Sequence, residues 1–421
     1  MIAYPNRSQG EAANSLIRPR GSKLAEAPGE ESLSIVSALK IGDSNKRRIL
    51  QTLFDLGPLS RADLSRISGA MRTTISGIVQ PLLDGGLLVE ETPAQTGGVG
   101  KPARPLWFSA DASPVCAVVL MPGRVHTSMV SLRGEIYGQQ METISNGESD
   151  HEHYLAAIER CISTSLSVAR GEALGIGIAV DGMIDPDTGS IVTMNLAPWL
   201  AGLELSRILN ERFGVATIID HHPRAILMGE RWFGRGRGLK DFAIIYADEG
   251  LACSLFLNGE PFRGPHGSGG ELGHTIVSVH GDVCTCGRRG CWETIATLPW
   301  LRRRAAELGL PDAAVLDVPK VCELAENSPS AERLLSEYGY NLAVGIANLQ
   351  TLLMPGNFII YGNAARGSER LLDTIRGFVD ELAFRHPKES IEITFGNMDQ
   401  QSITLQGAAG LVIAEELRIH Y

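Results

Sequence analysis

A two-lobed α/β body behind a small helical head is the fold that this 421-residue sequence predicts. Three observations carry it. Between residues 32 and 92 the apolar residues repeat at helical spacing in three short blocks, each closed by glycine. Past residue 111 the pattern changes to strands alternating with helices, as in layered α/β proteins. Nowhere do eighteen apolar residues run together, so no membrane span is expected.

The elements follow in order. Residues 1–31 are rich in Gly, Pro, Ser, Ala and charge without an apolar period, and are expected to form a disordered tail. In the first helical block Ile49, Leu50, Leu53 and Phe54 share one face, and Gly57-Pro58 ends it. Ser60 then offers an N-cap, with Asp63 three residues on, before a short helix that should turn Leu64 and Ile67 inward. A third helix starts near Arg72 and carries Ile75, Ile78, Val79, Leu82 and Leu83 before Gly85-Gly86 stops it. Pro81 should bend that helix or loosen its last turn. Residues 87–92 read as a strand, 95–105 as a flexible loop and 106–110 as a returning strand. Three short helices and a hairpin make a winged helix-turn-helix, placed at 32–110.

Beyond the head, strands are expected at 116–121, 126–132 and 134–140, then an amphipathic helix at 151–170 and a buried strand at 173–180. A second strand-rich passage covers 242–247 and 254–259. Helices follow at 298–308, 330–354 and 367–385, with a strand at 358–362 between the last two. The lobes are drawn at 111–220 and 221–403, with a C-terminal helix at 404–421 packing back on the first. They could be distant versions of one unit.

Charge and cysteine usage narrow the function. The net charge of −10 argues against a nucleic-acid binder, but it is uneven. Residues 1–110 hold 13 Lys/Arg and 10 Asp/Glu, a net of +3, and the remainder a net of −13. A mildly basic head on an acidic body suits a DNA-reading module fused to a sensor or an enzyme. The first thirty residues contain no apolar block of signal-peptide length, so a cytoplasmic chain is expected, nucleoid-associated when bound to DNA. Of seven cysteines, Cys284, Cys286 and Cys291 crowd into eight positions, which points to a metal site rather than a disulfide framework.

With His274 these three cysteines make the order H-x9-C-x-C-x4-C, with His280 as an alternative fourth ligand. Zinc takes one imidazole and three thiolates tetrahedrally. Four protein ligands leave no position for a catalytic water, so the expected role is structural. Gly287 and Gly290 permit the tight turn that such a clasp needs.

Glu271-Leu-Gly-His274 followed by Cys-x-Cys-Gly-x-x-Gly-Cys-x-Glu293 resembles the signature of the ROK family of repressors, open reading frames and sugar kinases. The resemblance extends through Gly175–Ile191, Asn195–Trp199, Gly229-Glu230 and the closing stretch around Pro355 and Tyr361-Gly362, roughly residues 40–415. It implies an actin/hexokinase-like two-lobed fold with a sugar in the cleft.

Family kinases need an Asp that takes the proton of the attacking sugar hydroxyl. Counting back from Gly229-Glu230, His222 occupies that position, and Asp220 lies two residues too early. The stretch matching the first phosphate loop is Leu120–Arg124, with one glycine and no Asp. The second is Ala247-Asp248-Glu249-Gly250, whose carboxylates would repel a triphosphate. The adenosine-side Gly-Gly is reduced to Gly362-Asn363. Four departures bear on one reaction, so no enzyme activity is expected.

The sugar side is better kept. By resemblance Glu271, His274 and Glu293 match hydroxyl-binding residues, and Gly182 matches a turn at the cleft. His274 would place one ring nitrogen on zinc and the other toward the sugar. His221 and His222 are candidates to bind a hydroxyl or alter which sugar is accepted.

The head resembles the module that the family's repressors carry. Its third helix should enter the major groove with Arg72, Thr73, Ser76 and Gln80 exposed. Ser60 and Arg61 would position the DNA backbone. The family's minor-groove Gly-Arg-Pro is here Gly100-Lys101-Pro102, with Arg104 following. The expected function is therefore a transcriptional repressor of carbohydrate metabolism, acting as a homodimer or homotetramer on operator DNA and controlled by a sugar or sugar derivative. The alternatives are an ATP-dependent sugar kinase, or a regulator governed by a protein partner.

Overall fold

The computed structural model describes residues 38–92, 104–144, 151–185, 188–194, 197–264, 269–384, 389–396 and 399–417. The tail expected at 1–31 lies outside them, as do Gly100-Lys101-Pro102 and Asn195.

The head contains α1 (Ala38–Leu56), β1 (Leu59–Ser60), α2 (Arg61–Ser68), α3 (Arg72–Asp84), β2 (Leu88–Glu90) and β3 (Pro105–Phe108). β3 pairs antiparallel with both β1 and β2, giving the sheet order β1-β3-β2. Ser60 caps α2 through a reciprocal capping box with Asp63, and Gly69 closes it in the left-handed conformation at φ 70°. Ile49, Leu50, Leu53, Phe54, Leu64, Ile75, Val79 and Leu82 are buried together with Leu88, Leu106 and Phe108. Ile67 departs from expectation: it is 50% exposed, because a helix as short as α2 commits only Leu64 to the core. Pro81 does not end α3, which continues to Asp84 with Leu82 buried beyond the proline.

The body repeats one topology twice. In the first half β4 (Val115–Met121), β5 (Arg124–Val130) and β6 (Ile136–Thr143) form an antiparallel meander. Next come α4 (His151–Ser167), β7 (Gly175–Val180), a small hairpin of β8 (Met183–Asp185) and β9 (Ser190–Thr193), and α5 (Leu205–Phe213). β10 (Thr217–His221) and α6 (His222–Phe233) complete this half. β4, β7 and β10 are parallel neighbours, and the sheet order is β10-β7-β4-β5-β6.

The second half opens with a meander of β11 (Phe242–Ala247), β12 (Leu251–Leu257) and β13 (Glu260–Pro261), then α7 (Leu298–Glu307), α8 (Val318–Ala325) and α9 (Pro329–Leu353). β14 (Asn357–Tyr361), α10 (Glu369–Leu382), β15 (Glu392–Phe395) and α11 (Gln400–Glu416) end it. The order β13-β12-β11-β14-β15 mirrors the first sheet strand for strand. Each half is thus a meander, two parallel strands and a closing helix, as expected of two versions of one unit.

The closing helices are exchanged. α6 follows the first sheet but packs on β11 and β12 of the second, while α11 follows the second and packs on β4, β7 and β10 of the first. The two helices also pack on each other, with backbone close to backbone. A Cβ on Gly407 would lie 1.6 Å from the Ala225 carbonyl oxygen, and one on Gly229 would lie 2.2 Å from that of Ile403. The cores follow this arrangement. Ile226 and Leu227 of α6 join Phe242, Ile244 and Phe256, whereas Ala225, Met228 and Trp232 join the core shared by α11 and the head. No helix among the described residues is long and apolar enough to cross a membrane.

Candidate functional site: a metal clasp at the edge of an asymmetric cleft

The segment after β13 turns through short 3-10 helices at Leu272–His274 and Trp292–Thr294, with the cysteine loop between them. Isolated bridges join Ile276 to Cys291 and Val283 to Arg289, so the loop is tied at both ends. The Cys284 amide donates to Arg288 O at 2.7 Å and the Gly287 amide to Cys284 O at 2.9 Å. Gly290 has φ 73°, and a Cβ there would sit 1.6 Å from the Ser278 carbonyl oxygen, so no other residue fits.

This fold brings His274, Cys284, Cys286 and Cys291 together with their ligand atoms all within 4.8 Å of one another. The Cys284 sulfur is 3.5 Å from His274 Nδ1, and the Cys286 and Cys291 sulfurs are 3.7 Å apart. A disulfide would need about 2.0 Å. A tetrahedron with metal–sulfur bonds of about 2.3 Å has sulfur–sulfur edges of roughly 3.8 Å, so the four donors fit a tetrahedral metal ion. Nδ1 is the imidazole nitrogen on the thiol side. His280 is exposed and outside the cluster.

Beside the clasp Glu293 Oε2 lies 3.6 Å from His274 Nδ1, and its other oxygen is within 3.5 Å of Thr285 Oγ1. Burial holds the Glu293 carboxyl above its ordinary range. Glu271 is exposed, and its charge is felt by Glu293. The three residues assigned to hydroxyl binding are therefore near one another.

The end of β10 supplies a group that motif matching did not assign. Asp220 is buried between two arginines, accepting from Arg224 Nε at 2.6 Å and pairing with Arg263 at 3.2 Å. Arg224 Nη1 also donates to Gly269 O at 3.2 Å, two residues before Glu271, which links this triad to the segment that carries Glu271 and His274. Arg224 stands four residues after Asp220, the spacing of one helical turn, and that was the available signal. His221 is neutral at physiological pH: burial, aided by Arg224, pushes its pKa down to about 3.

His222 lies deeper than His221. It is 3% exposed, edge-on to the Tyr246 ring at 5.3 Å, with Nε2 3.5 Å from Thr404 Oγ1. It forms part of the floor between α6 and α11. Burial brings its pKa down to about 4. Gly182 is also occupied structurally, since a Cβ there would meet the Thr193 carbonyl oxygen at 2.3 Å.

Two further carboxylates, Asp181 after β7 and Asp248 after β11, lie near enough to interact. Burial raises the pKa of both Asp181 and Asp248, and in Asp181 the Asp248 charge raises it further. The tight β4–β5 turn holds Gly123 at φ 70°, and its amide donates to the Tyr154 hydroxyl instead of facing open solvent. Asn363 is buried, and its Oδ1 accepts from the Val318 amide at 2.8 Å.

In the head, Arg72, Thr73, Ser76 and Gln80 are exposed on α3, and Gln80 donates to Asp84 at 2.8 Å. Ser60 is buried with its hydroxyl engaged by Asp63. Arg61 and Arg104 both pair with Glu90, Arg104 at 3.3 Å.

With this geometry in hand, relatives can be compared. A xylose repressor of Caldicellulosiruptor bescii is 25% identical over 388 residues, covering 89% of this chain and 96% of that protein. The DNA-binding transcriptional dual regulator NagC of Escherichia coli is 26% identical over 383 residues, covering 87% and 92%. The solved structure of a ROK family transcriptional regulator, a homologue of the E. coli MLC protein, superposes with a TM-score of 0.74 at 24% identity, covering 90% and 98%. That likeness shows the actin/hexokinase-like ROK fold. The family model described as ROK matches residues 123–415. The chain belongs to the ROK family.

Proposed function

We propose that this protein is a DNA-binding transcriptional repressor of carbohydrate metabolism whose operator affinity is set by a sugar or sugar derivative in the cleft. The observation that carries the reading is the asymmetry of that cleft joined to the head. Glu271, His274 and Glu293 lie together, while Asp248 stands in the stretch that matches a kinase's second phosphate loop, with the Asp181 carboxylate near enough to feel its charge. The exposed face of α3, with Arg72, Thr73 and Ser76, suits a major groove. Relatives named as xylose repressor and as DNA-binding regulator support the same conclusion.

Position 222, which matches the kinases' catalytic Asp, carries a buried histidine in place of a carboxylate, and the protein acts without phosphoryl transfer. Zinc is the metal that the one-imidazole, three-thiol donor set fits. It would hold His274 and Glu293 on one stiff loop. Two copies would read a two-fold symmetric operator, because one small head makes too few contacts for tight binding. The protein would act in the cytoplasm.

The test is selection of bound duplexes from a random DNA pool, followed by fluorescence anisotropy with D-xylose, D-glucose or N-acetylglucosamine. A selected sequence whose affinity shifts about tenfold or more with one sugar is expected. Failure to enrich any duplex, or ATP-dependent phosphorylation of one of these sugars, sinks the reading.

A further inference from the structure

α6 joins the two ends of the molecule that the proposed function needs to connect. Twelve residues of α-helix span about 18 Å. At its first turn are His222, against Tyr246, and Arg224, bonded to Asp220 and to the Gly269 carbonyl beside Glu271. At its last turn Arg231 pairs with Asp55 of α1, and both side chains are largely withdrawn from water, at 6% and 21% exposed. Trp232 meets the Phe54 ring edge-on at 4.8 Å, and Phe233 meets the same ring at 6.4 Å. Just past the helix, Arg237 Nε donates to the Phe54 carbonyl oxygen at 2.8 Å. Residues 54 and 55 of the head are therefore gripped by three consecutive side chains of α6 and by Arg237 just beyond it.

α6 is buried from His222 to Trp232 and lies directly on α11. Gly229 and Gly407 bring the two helices together through backbone, and Gly410 makes the space in which the Trp232 ring sits, a Cβ there falling 2.4 Å from it. A helix so closely packed along its length passes on a displacement as a body.

We propose that α6 is the lever of the protein: a change at Asp220, His222 and Arg224 displaces the helix along α11 and moves α1 through Arg231, Trp232 and Arg237. Its regulatory meaning rests on the proposed function, but the mechanical link does not. It exists whether or not the head binds DNA.

The test needs neither DNA nor sugar. Amide hydrogen exchange is measured on the full chain carrying Arg224→Met or, as the smaller change, His222→Asn. Residues 49–56 are expected to exchange about tenfold faster in at least one variant, with α9 unchanged. Glu249→Gln, on the cleft rim but off α6, should leave 49–56 as they were. In an Asp55→Asn background the effect of Arg224→Met on 49–56 should shrink. Acceleration below about twofold in both variants, acceleration shared equally by α9, or an undiminished effect with Asp55→Asn overturns the lever. Loss of DNA binding with the exchange link intact would instead count against the repressor reading alone.

Discussion

The two sides of the cleft are built from opposite materials. On the sugar side a tied loop holds an imidazole and two carboxylates, while four metal-ligand atoms gather within 4.8 Å. On the phosphate side the groups that would greet an anion are spent or reversed. The Gly123 amide donates to Tyr154, the Asn363 side chain accepts from the Val318 amide, and the Asp248 charge makes Asp181 harder to ionise. The lesson is that an amide or side chain with an internal partner, such as Gly123 or Asn363, is no longer free to meet an anion.

The contrast can be broken hardest at the metal. Cys291→Ser, or chelation of the wild-type protein, should unfold the loop and cost about 4 kcal/mol, read as a fall in thermal midpoint together with loss of bound metal. No such fall from a metal-loaded sample would mean that the clasp is decoration. Glu271→Gln comes next. It should weaken binding of whichever of the three sugars binds by roughly tenfold in calorimetry while leaving the thermal midpoint in place, since Glu271 is exposed.

The smallest effect belongs to the phosphate side. Because the folded-state pKa of Asp248 lies above its ordinary 3.8, the folded protein holds the extra proton between those values. Stability therefore falls as pH rises through that window. Asp248→Asn should remove part of the fall and raise the urea midpoint at neutral pH while changing little at the acid end. An unchanged pH profile would mean that the carboxylate is relaxed where it stands.

What could be read from the sequence follows chemistry that is local in the chain. The clasp, the capping box at Ser60 and the turn glycines lie within a few residues of their partners, so spacing alone exposes them. The meanders and the long α9 announce themselves by period. The Asp220–Arg224–Arg263 group was hidden because its third member comes from beyond β13 and has no motif. The burial of His222 was hidden for a related reason: a motif gives a position along the chain, whereas burial depends on α11, 182 residues away at Thr404. Arg61 and Arg104 look free in the sequence, yet both reach Glu90 once the hairpin brings it near.

The shared core of head and body has a consequence for how such proteins diversify. Phe54 packs on Phe108 of the head and on Trp232 of the body alike, at 4.2 and 4.8 Å. A head transplanted from another chain would arrive without its socket unless Arg231, Trp232, Phe233 and Arg237 travelled with it. New operator preferences are therefore reached more easily by point changes on the outer face of α3 than by recombination at residue 110, and chimaeras joined there should be insoluble until the socket is matched.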